Sequence, residues 1–451
     1  MSQRIHDEVI DTDVVVIGAG GAGLSAAIEA RKMGAEVIVL SRIGKLANNT
    51  AIAGGVFPLV GTPMQTERSI EDSEDLFARD LLEANGHTVD ETLIRTAIRG
   101  SADLYEWLTG FGVRFRDLVQ FHGHSAARCH AEASWKGANV VTALVEAAQK
   151  MGVDFRYGTS ASDLIMSQDA EVIGVKAQNR EGNPIRIGVR RGVVLAAGGF
   201  GKNKAMMREY VPEFAHLPVM SATGSTGDGI RMALAVGAQK VNMSSVVMYA
   251  ASEIKKRRTV FWLFIMEGGI LVNKDAKRFV DESIGYVRAA VPVARQRDGM
   301  AFMIFDEQIS AKVRQADIRR SVESYMKDGV VIEDSTVEGL AGKMNVDPVA
   351  LRNTVAKLSF QGRLYAIPII PCVIQTHGGV KINSEAQVIS NEGRPIPRLY
   401  AAGDNAAGLA GPATEDCGCP GYMTGTGYLD AFVFGRIAGR NAAREGIVTT
   451  S

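Results

Sequence analysis

The sequence predicts an α/β fold with a parallel sheet, and three stretches carry that prediction: DVVVIGAGGAGLSAAIEARKMGAEVIVLSR (residues 13–42), GVVLAAGGFG (192–201) and RLYAAGDNAAG (398–408). Each is an apolar run that ends in glycines, the pattern of a strand buried on both faces and closed by a tight turn. In the first, Val14 to Ile17 reads as a strand, Leu24 to Met33 as a helix and Ala35 to Leu40 as a second strand. Gly18, Gly20 and Gly23 stand between strand and helix at GxGxxG spacing. The first glycine permits the turn, the second lets a pyrophosphate approach the backbone, and the third lets helix and strand pack closely, while the helix N-terminus offers amides to phosphates. The unit reads as a dinucleotide site, with a merely structural turn as the alternative.

The second strand ends in Ser41-Arg42, where a carboxylate that grips the ribose of NAD is expected. That departure weighs against a standard NAD site. In the second stretch the strand runs into Ala197, Gly198 and Gly199, and in the third into Gly403 and Asp404. An acid at a strand terminus beside a glycine can accept hydrogen bonds from the hydroxyls of a ribitol chain, which FAD has and NAD lacks; the other reading of Asp404 is a helix N-cap. Between the first two units, Ser69 to about Phe115 has helical patterning, with Leu76, Phe77, Leu81 and Leu104, Trp107, Leu108 as its apolar face and Asn85-Gly86 as a helix end. It reads as a helical insertion whose aromatics belong to a core.

The 451 residues suffice for two or three domains sharing a core. Fifty basic and fifty acidic residues cancel, with no local pile-up of Lys or Arg, so neither nucleic acid nor an anionic membrane is an expected partner. A small molecule is. Forty-nine glycines against thirteen prolines point to close backbone approaches. Four scattered cysteines, Cys129, Cys372, Cys417 and Cys419, are too few for a disulfide framework and lack the partners of a metal site, so a reducing cytoplasm and no metal are expected. MSQRIHDEVIDTDVVVIG lacks a signal-peptide pattern, and no apolar run approaches the ~18 residues of a membrane span.

Together with NNTAIAGGV (48–56), TGSTGDGI (223–230), GGILVNKDAKRFVDES (268–283), QTHGGVKI (375–382) and GTGYLDAFVFGRIAG (425–439), the three units resemble the flavoproteins of the fumarate reductase and succinate dehydrogenase superfamily, which includes the 3-ketosteroid dehydrogenases. The resemblance covers nearly the whole chain in order. It implies a Rossmann-like FAD-binding domain (1–242, with the insertion at about 69–115, and again 365–451) and an inserted α+β capping domain (243–364), the chain returning near GRLYAIPIIP. It also implies FAD contacts from Ser41 and Arg42, from Asn49, Thr50, Gly54 and Gly55, from Asp228, from His377 and Gly378, and from Gly425 and Thr426, beside the glycines, Ala197 and Asp404 already named.

Departures from the superfamily narrow the reaction. Respiratory members attach FAD through a histidine before the Gly-Gly loop; Asn49 takes that place, so noncovalent FAD is implied. The positions where fumarate reductases carry the proton-delivering arginine and the residues that hold two carboxylates are here Tyr286, Gln375 and Tyr422. Tyrosine and glutamine cannot replace cations in gripping a dianion. DESIGYV is similar to the NESxPYV of the ketosteroid dehydrogenase branch, with Tyr286 in register, and CPGYMTG offers Tyr422 for the ketone-binding tyrosine of that branch, though after its Pro-Gly rather than before it. FHGHSAARCH (121–130) resembles a GHSxxR substrate loop, which implies that His124 and Arg128 face the substrate or brace the loop. Arg288 reads either as a surface partner of Asp281 or Glu282 or, if residues 286–288 are extended, as a cation on the same face as Tyr286 that would stabilise its phenolate.

The resemblance therefore implies an FAD-dependent dehydrogenase (desaturase) of the Cα–Cβ bond beside a carbonyl, of a steroid-like or smaller cyclic ketone with or without a carboxylate. Tyr286 would transfer the proton and hydride would pass to flavin N5. A second reading is reduction of an α,β-unsaturated acid with Arg128 or Arg288 holding one carboxylate, and a third is a flavin electron-transfer subunit without turnover. Substrate identity, direction, electron acceptor and the choice between monomer and homo-oligomer are left open.

Overall fold

The computed structural model describes residues 8–316 and 321–445. The start of the segment read for an export signal, residues 1–7, lies outside the described residues. The three stretches that predict the fold are neighbouring strands of one eight-stranded sheet, counted among the described residues, in the order Pro395–Ala401, Pro184–Leu195, Glu8–Ile17, Val37–Ser41 and Asp154–Tyr157 along its parallel part. Pairing is parallel throughout that run. Val14, Val15 and Val16 are wholly buried, as a central strand covered on both faces requires. Parallel register brings Ile17, Leu40, Leu195 and Ala401 to one edge of the sheet, so the loops that follow all open into the same crevice.

The first helix is Gly21–Lys32, three residues earlier than its apolar pattern suggests, because Leu24 N already donates to Gly20 O. Burial overrides the poor helix propensity of the two glycines. Helix Thr426–Arg444 crosses it at Gly435 and Gly439, where a Cβ would lie 2.4 Å from Ala22 O and 2.1 Å from Ala26 O. The helical insertion comprises Glu74–Asn85 and Glu91–Gly110. Gly86 ends the former in the left-handed conformation, and Phe77, Leu81, Leu104 and Leu108 are wholly buried.

A second sheet joins Val246–Glu253, Leu364–Thr376, Ala301–Asp306 and Ile270–Val272, with Ile332–Asp334 also on Leu364–Thr376. This corrects the boundary read at 364. Leu364–Thr376 is bonded to Val246–Glu253 and to Ala301–Asp306, so it is an interior strand of the second sheet rather than the start of the return. The chain rejoins the first unit at Gly379–Val380, which pairs with Lys240–Val241. No helix among the described residues is long and apolar enough to cross a membrane.

Candidate active site

A cavity of about 1030 Å³ lies where the strand ends of the first sheet face the second. At its first-sheet end, Gly18 holds φ +120° with its hypothetical Cβ 2.0 Å from Ala196 O, and Gly23 would place one 1.9 Å from Gly18 O. Both glycines are needed for close backbone packing. Gly20 differs: nothing lies within 3.8 Å of its Cβ position, so its backbone faces open cavity. Thr50 Oγ1 accepts from Gly21 N at 3.0 Å and fixes this turn from the side. Arg42 reaches Asp228 at 2.8 Å and Thr226 Oγ1 at 2.6 Å. The carboxylate absent from the end of the second strand thus arrives from another helix, Asp228–Ala235.

Asn49, Asp404 and Gln375 form one network on the cavity wall. Asn49 Oδ1 accepts from Ala222 N (2.7 Å) while its Nδ2 donates to Asp404 Oδ2 (3.2 Å), and Gln375 Nε2 donates to Asp404 Oδ1 (2.5 Å). Burial raises the Asp404 pKa to about 6 against these two donors. Asp404 makes no helix-capping bond, so the N-cap reading of it falls. Asn405, which sequence reasoning missed, holds the neighbouring loop through Ala197 N (2.7 Å) and Gly198 O (2.7 Å). Ser41, Thr50, Gly54, Gly403 and Gly425 also line the cavity. Gly55, Gly199, Gly378 and Thr426 lie behind its wall: a Cβ on Gly199 would sit 2.1 Å from Thr376 Oγ1, one on Gly378 2.3 Å from Asn242 O, and Thr426 Oγ1 donates to Met423 O. His377 is buried with its N–H on Ser245 O, and burial holds its ring neutral, with a pKa of about 4.

At the second-sheet end Tyr286 lines the cavity, its Oη 3.1 Å from Thr424 Oγ1 and its ring 4.7 Å from that of Tyr249. Trp262 meets the same ring edge-on at 6.3 Å. Burial, opposed by the Thr424 hydrogen bond, pushes the Tyr286 phenol up to about 12. Tyr422 lines the cavity with its ring edge-on to His377 at 5.3 Å, and burial raises its phenol well above the ordinary value. Thr424 was also missed by sequence reasoning: it lies 138 residues from Tyr286, and no local motif announces such a pair.

For three polar candidates the substrate-facing alternative is corrected. Residues Gly285–Arg288 form a helical turn, so residues two apart point away from each other; Arg288 is exposed and reaches Ala84 O at 3.5 Å instead of Tyr286. Arg128 is wholly buried off the cavity, ion-paired to Asp72 at 2.7 Å and to Asp80. His124 is buried behind Thr424, its Nε2 3.1 Å from Thr424 O, and burial followed by the Arg128 charge lowers its pKa to about 4. Both make their contacts with the loop and its supports rather than with the cavity. Cys417 and Cys419 are buried in a small apolar cluster with Val247 and Val287.

An open backbone at Gly20, a buried carboxylate flanked by amide side chains and a cavity of this volume suit a dinucleotide that carries polyol hydroxyls. The sequence matches the FAD binding domain family over residues 13–420. The chain belongs to that family. It is an FAD-dependent oxidoreductase acting on CH–CH groups. Among its relatives, the probable fumarate reductase Ifc3 of Shewanella frigidimarina is 29% identical over 97% of this chain and 75% of its own length. The open conformation of a flavocytochrome c3 fumarate reductase superposes with a TM-score of 0.82 (29% identity, 96% of this chain, 78% of that one). The 3-ketosteroid-Δ4-(5α)-dehydrogenase of Rhodococcus jostii RHA1 superposes at 0.76 (26% identity, 98% and 99%). Both branches of the resemblance are thus represented. Because Asn49 carries no nucleophile and both ends of its side chain are engaged, acid precipitation is expected to release intact FAD into the supernatant; flavin left on the precipitated polypeptide would contradict this.

Proposed function

We propose that this chain interconverts the single and double Cα–Cβ bond beside a ketone carbonyl, in a cyclic substrate that lacks the two carboxylates of fumarate. What carries the reading is the makeup of the cavity around Tyr286 and Tyr422: phenols, the hydroxyls of Thr259 and Thr424, the Gln375 amide and the rings of Tyr249, Phe261 and Trp262. The arginines on the cavity wall are committed or peripheral. Arg42 pairs with Asp228, Arg116 with Asp117, and Arg258 with Glu253 and Asp328, while Arg68 is exposed and bonded to Arg116 O. The imidazole beside Gln375, that of His377, is neutral. A dianion would be desolvated here with no cation to receive it.

FAD, when bound, supplies the two-electron redox chemistry. The chain's own residues handle the proton and the carbonyl. Tyr422 Oη serves as hydrogen-bond donor to the ketone oxygen, stabilising the enolate as charge develops there. Tyr286 Oη exchanges a proton with the α-carbon, and the Thr424 hydroxyl beside it relays the replacement proton from cavity water, taking one as it passes one on. A phenol at about 12 is a poor base near neutrality and a standing proton donor, so these residues favour saturation of an enone over desaturation of a ketone.

Fumarate is expected to leave the photoreduced enzyme's flavin spectrum unchanged under anaerobic conditions, while members of a cyclic enone series reoxidise it. Rapid reoxidation by fumarate would replace this substrate class by the unsaturated acids. That second reading has one observation in its favour, the position of Arg258 on the cavity wall, so monocarboxylic acrylates belong in the same panel.

A further inference from the structure

Behind the cavity wall at Val219–Ala222 lies a second depression, of about 810 Å³. Val219 faces it, and the next residue, Met220, faces the FAD cavity, so a single stretch of chain separates the two. The groove spans the seam between the two sheet units. Lys202, Lys204 and Arg208 line it from the first unit and Arg257 from the second. Among the described residues none of these four is ion-paired, so their charges are available to a ligand in the groove. The acid on the lining, Asp298, is already paired with Lys274.

Lys202 is half-buried, its Nζ donates to Val219 O, and desolvation lowers its pKa, the condition of a cation without a counter-ion. Arg257 holds a left-handed φ of 52°, a strained conformation for a residue with a Cβ. The floor between the cations is apolar, formed by Met207, Leu217, Ile370 and Pro371. Four cations lining one groove call for an anion of more than one charge, and a mixed Lys and Arg set suits phosphate oxygens. An apolar floor and this volume exceed what inorganic phosphate would use and fit a planar base with its sugar.

We infer that the groove binds a nucleoside diphosphate or a molecule of that build, its phosphates held by Lys202, Lys204, Arg208 and Arg257 across the seam and its base on the apolar floor. The site is distinct from the FAD cavity and independent of the substrate assigned to it. The test uses FAD-saturated holoenzyme, so that the adenine end of the main cavity is filled, and calorimetric titration at low salt with ADP, pyrophosphate and adenosine. ADP is expected to bind saturably at one equivalent, more tightly than pyrophosphate, with adenosine silent. Arg208→Glu and Arg257→Glu, both at exposed positions, are each expected to weaken ADP by about tenfold or more while FAD content and thermal midpoint stay at wild-type values. Absence of saturable ADP binding, or ADP affinity indifferent to both charge reversals, would overturn the site. Pyrophosphate binding as tightly as ADP would overturn its assignment to a nucleotide.

Discussion

Tyr286→Phe is expected to slow reoxidation of the reduced flavin by an enone ~10²–10⁴-fold, the usual contribution of a positioned acid or base, while FAD content and ligand affinity stay at wild-type values. The substitution keeps the ring that packs on Tyr249 and Trp262 and removes the hydroxyl 3.1 Å from Thr424 Oγ1. What is lost is a proton donor rather than a piece of core. With its pKa raised to about 12, the phenol stays protonated until the pH approaches that value. The wild-type single-turnover rate should therefore be flat from about pH 7 to about pH 10, with no limb from a residue titrating to a base. The measurement is stopped-flow reoxidation of photoreduced enzyme by the fastest enone of a panel running from cyclohexenone to androstenedione, wild type beside variant across that pH range. An unchanged rate in the variant would remove Tyr286 from the chemistry. A rate that rises through a pKa near neutrality would assign the proton to another group.

The first sheet was legible because its signals are local. Gly18, Gly20 and Gly23 announce a turn within six residues, and the apolar runs that precede the three glycine clusters mark strands buried on both faces. Asn85-Gly86 likewise marks the end of its own helix. The substrate end was legible as far as Tyr286, Gln375 and Tyr422, through the resemblance. The partners that hold these walls are set by contacts across the chain: Thr424 on Tyr286, the bond from Gln375 to Asp404 at a separation of 29 residues, and, at the FAD end, Asn405 on Ala197 at 208. The site reading of Arg288, one of its two, falls on a local alternative, since GYVR can be a strand or a helical turn and it is the turn that forms. For Arg128 the sequence left substrate contact and loop brace open for a different reason: a motif shows that an arginine is wanted without showing which side of the loop its charge is used on.

Arg128→Met is expected to cost about 3–5 kcal/mol of folding stability, the range for breaking a buried ion pair from one side. Arg128 spends Nε and Nη2 on Asp72 at 3.0 and 2.7 Å and Nη1 on Asp80, and its guanidinium lies over the Phe77 ring at 4.4 Å. The Asp72 and Asp80 side chains are 2% and 6% exposed, so methionine would fill the volume and leave two carboxylates buried without a cation. The loss is a charge problem before it is a packing problem. Adding Asp72→Asn and Asp80→Asn to Arg128→Met should therefore recover most of it, because neutral amides carry no orphan charge and the amide oxygen that replaces the Asp80 carboxylate still accepts from Ser125 N, the bond Asp80 now makes. Urea midpoints and m-values for wild type, the single and the triple variant measure both steps. The same proteins decide whether Arg128 braces or binds. A residue that holds the loop under Thr424 should leave enone affinity near wild type in the triple variant once stability is restored, since the cavity wall is rebuilt. Full stability in the single variant together with weakened enone binding would return Arg128 to the substrate.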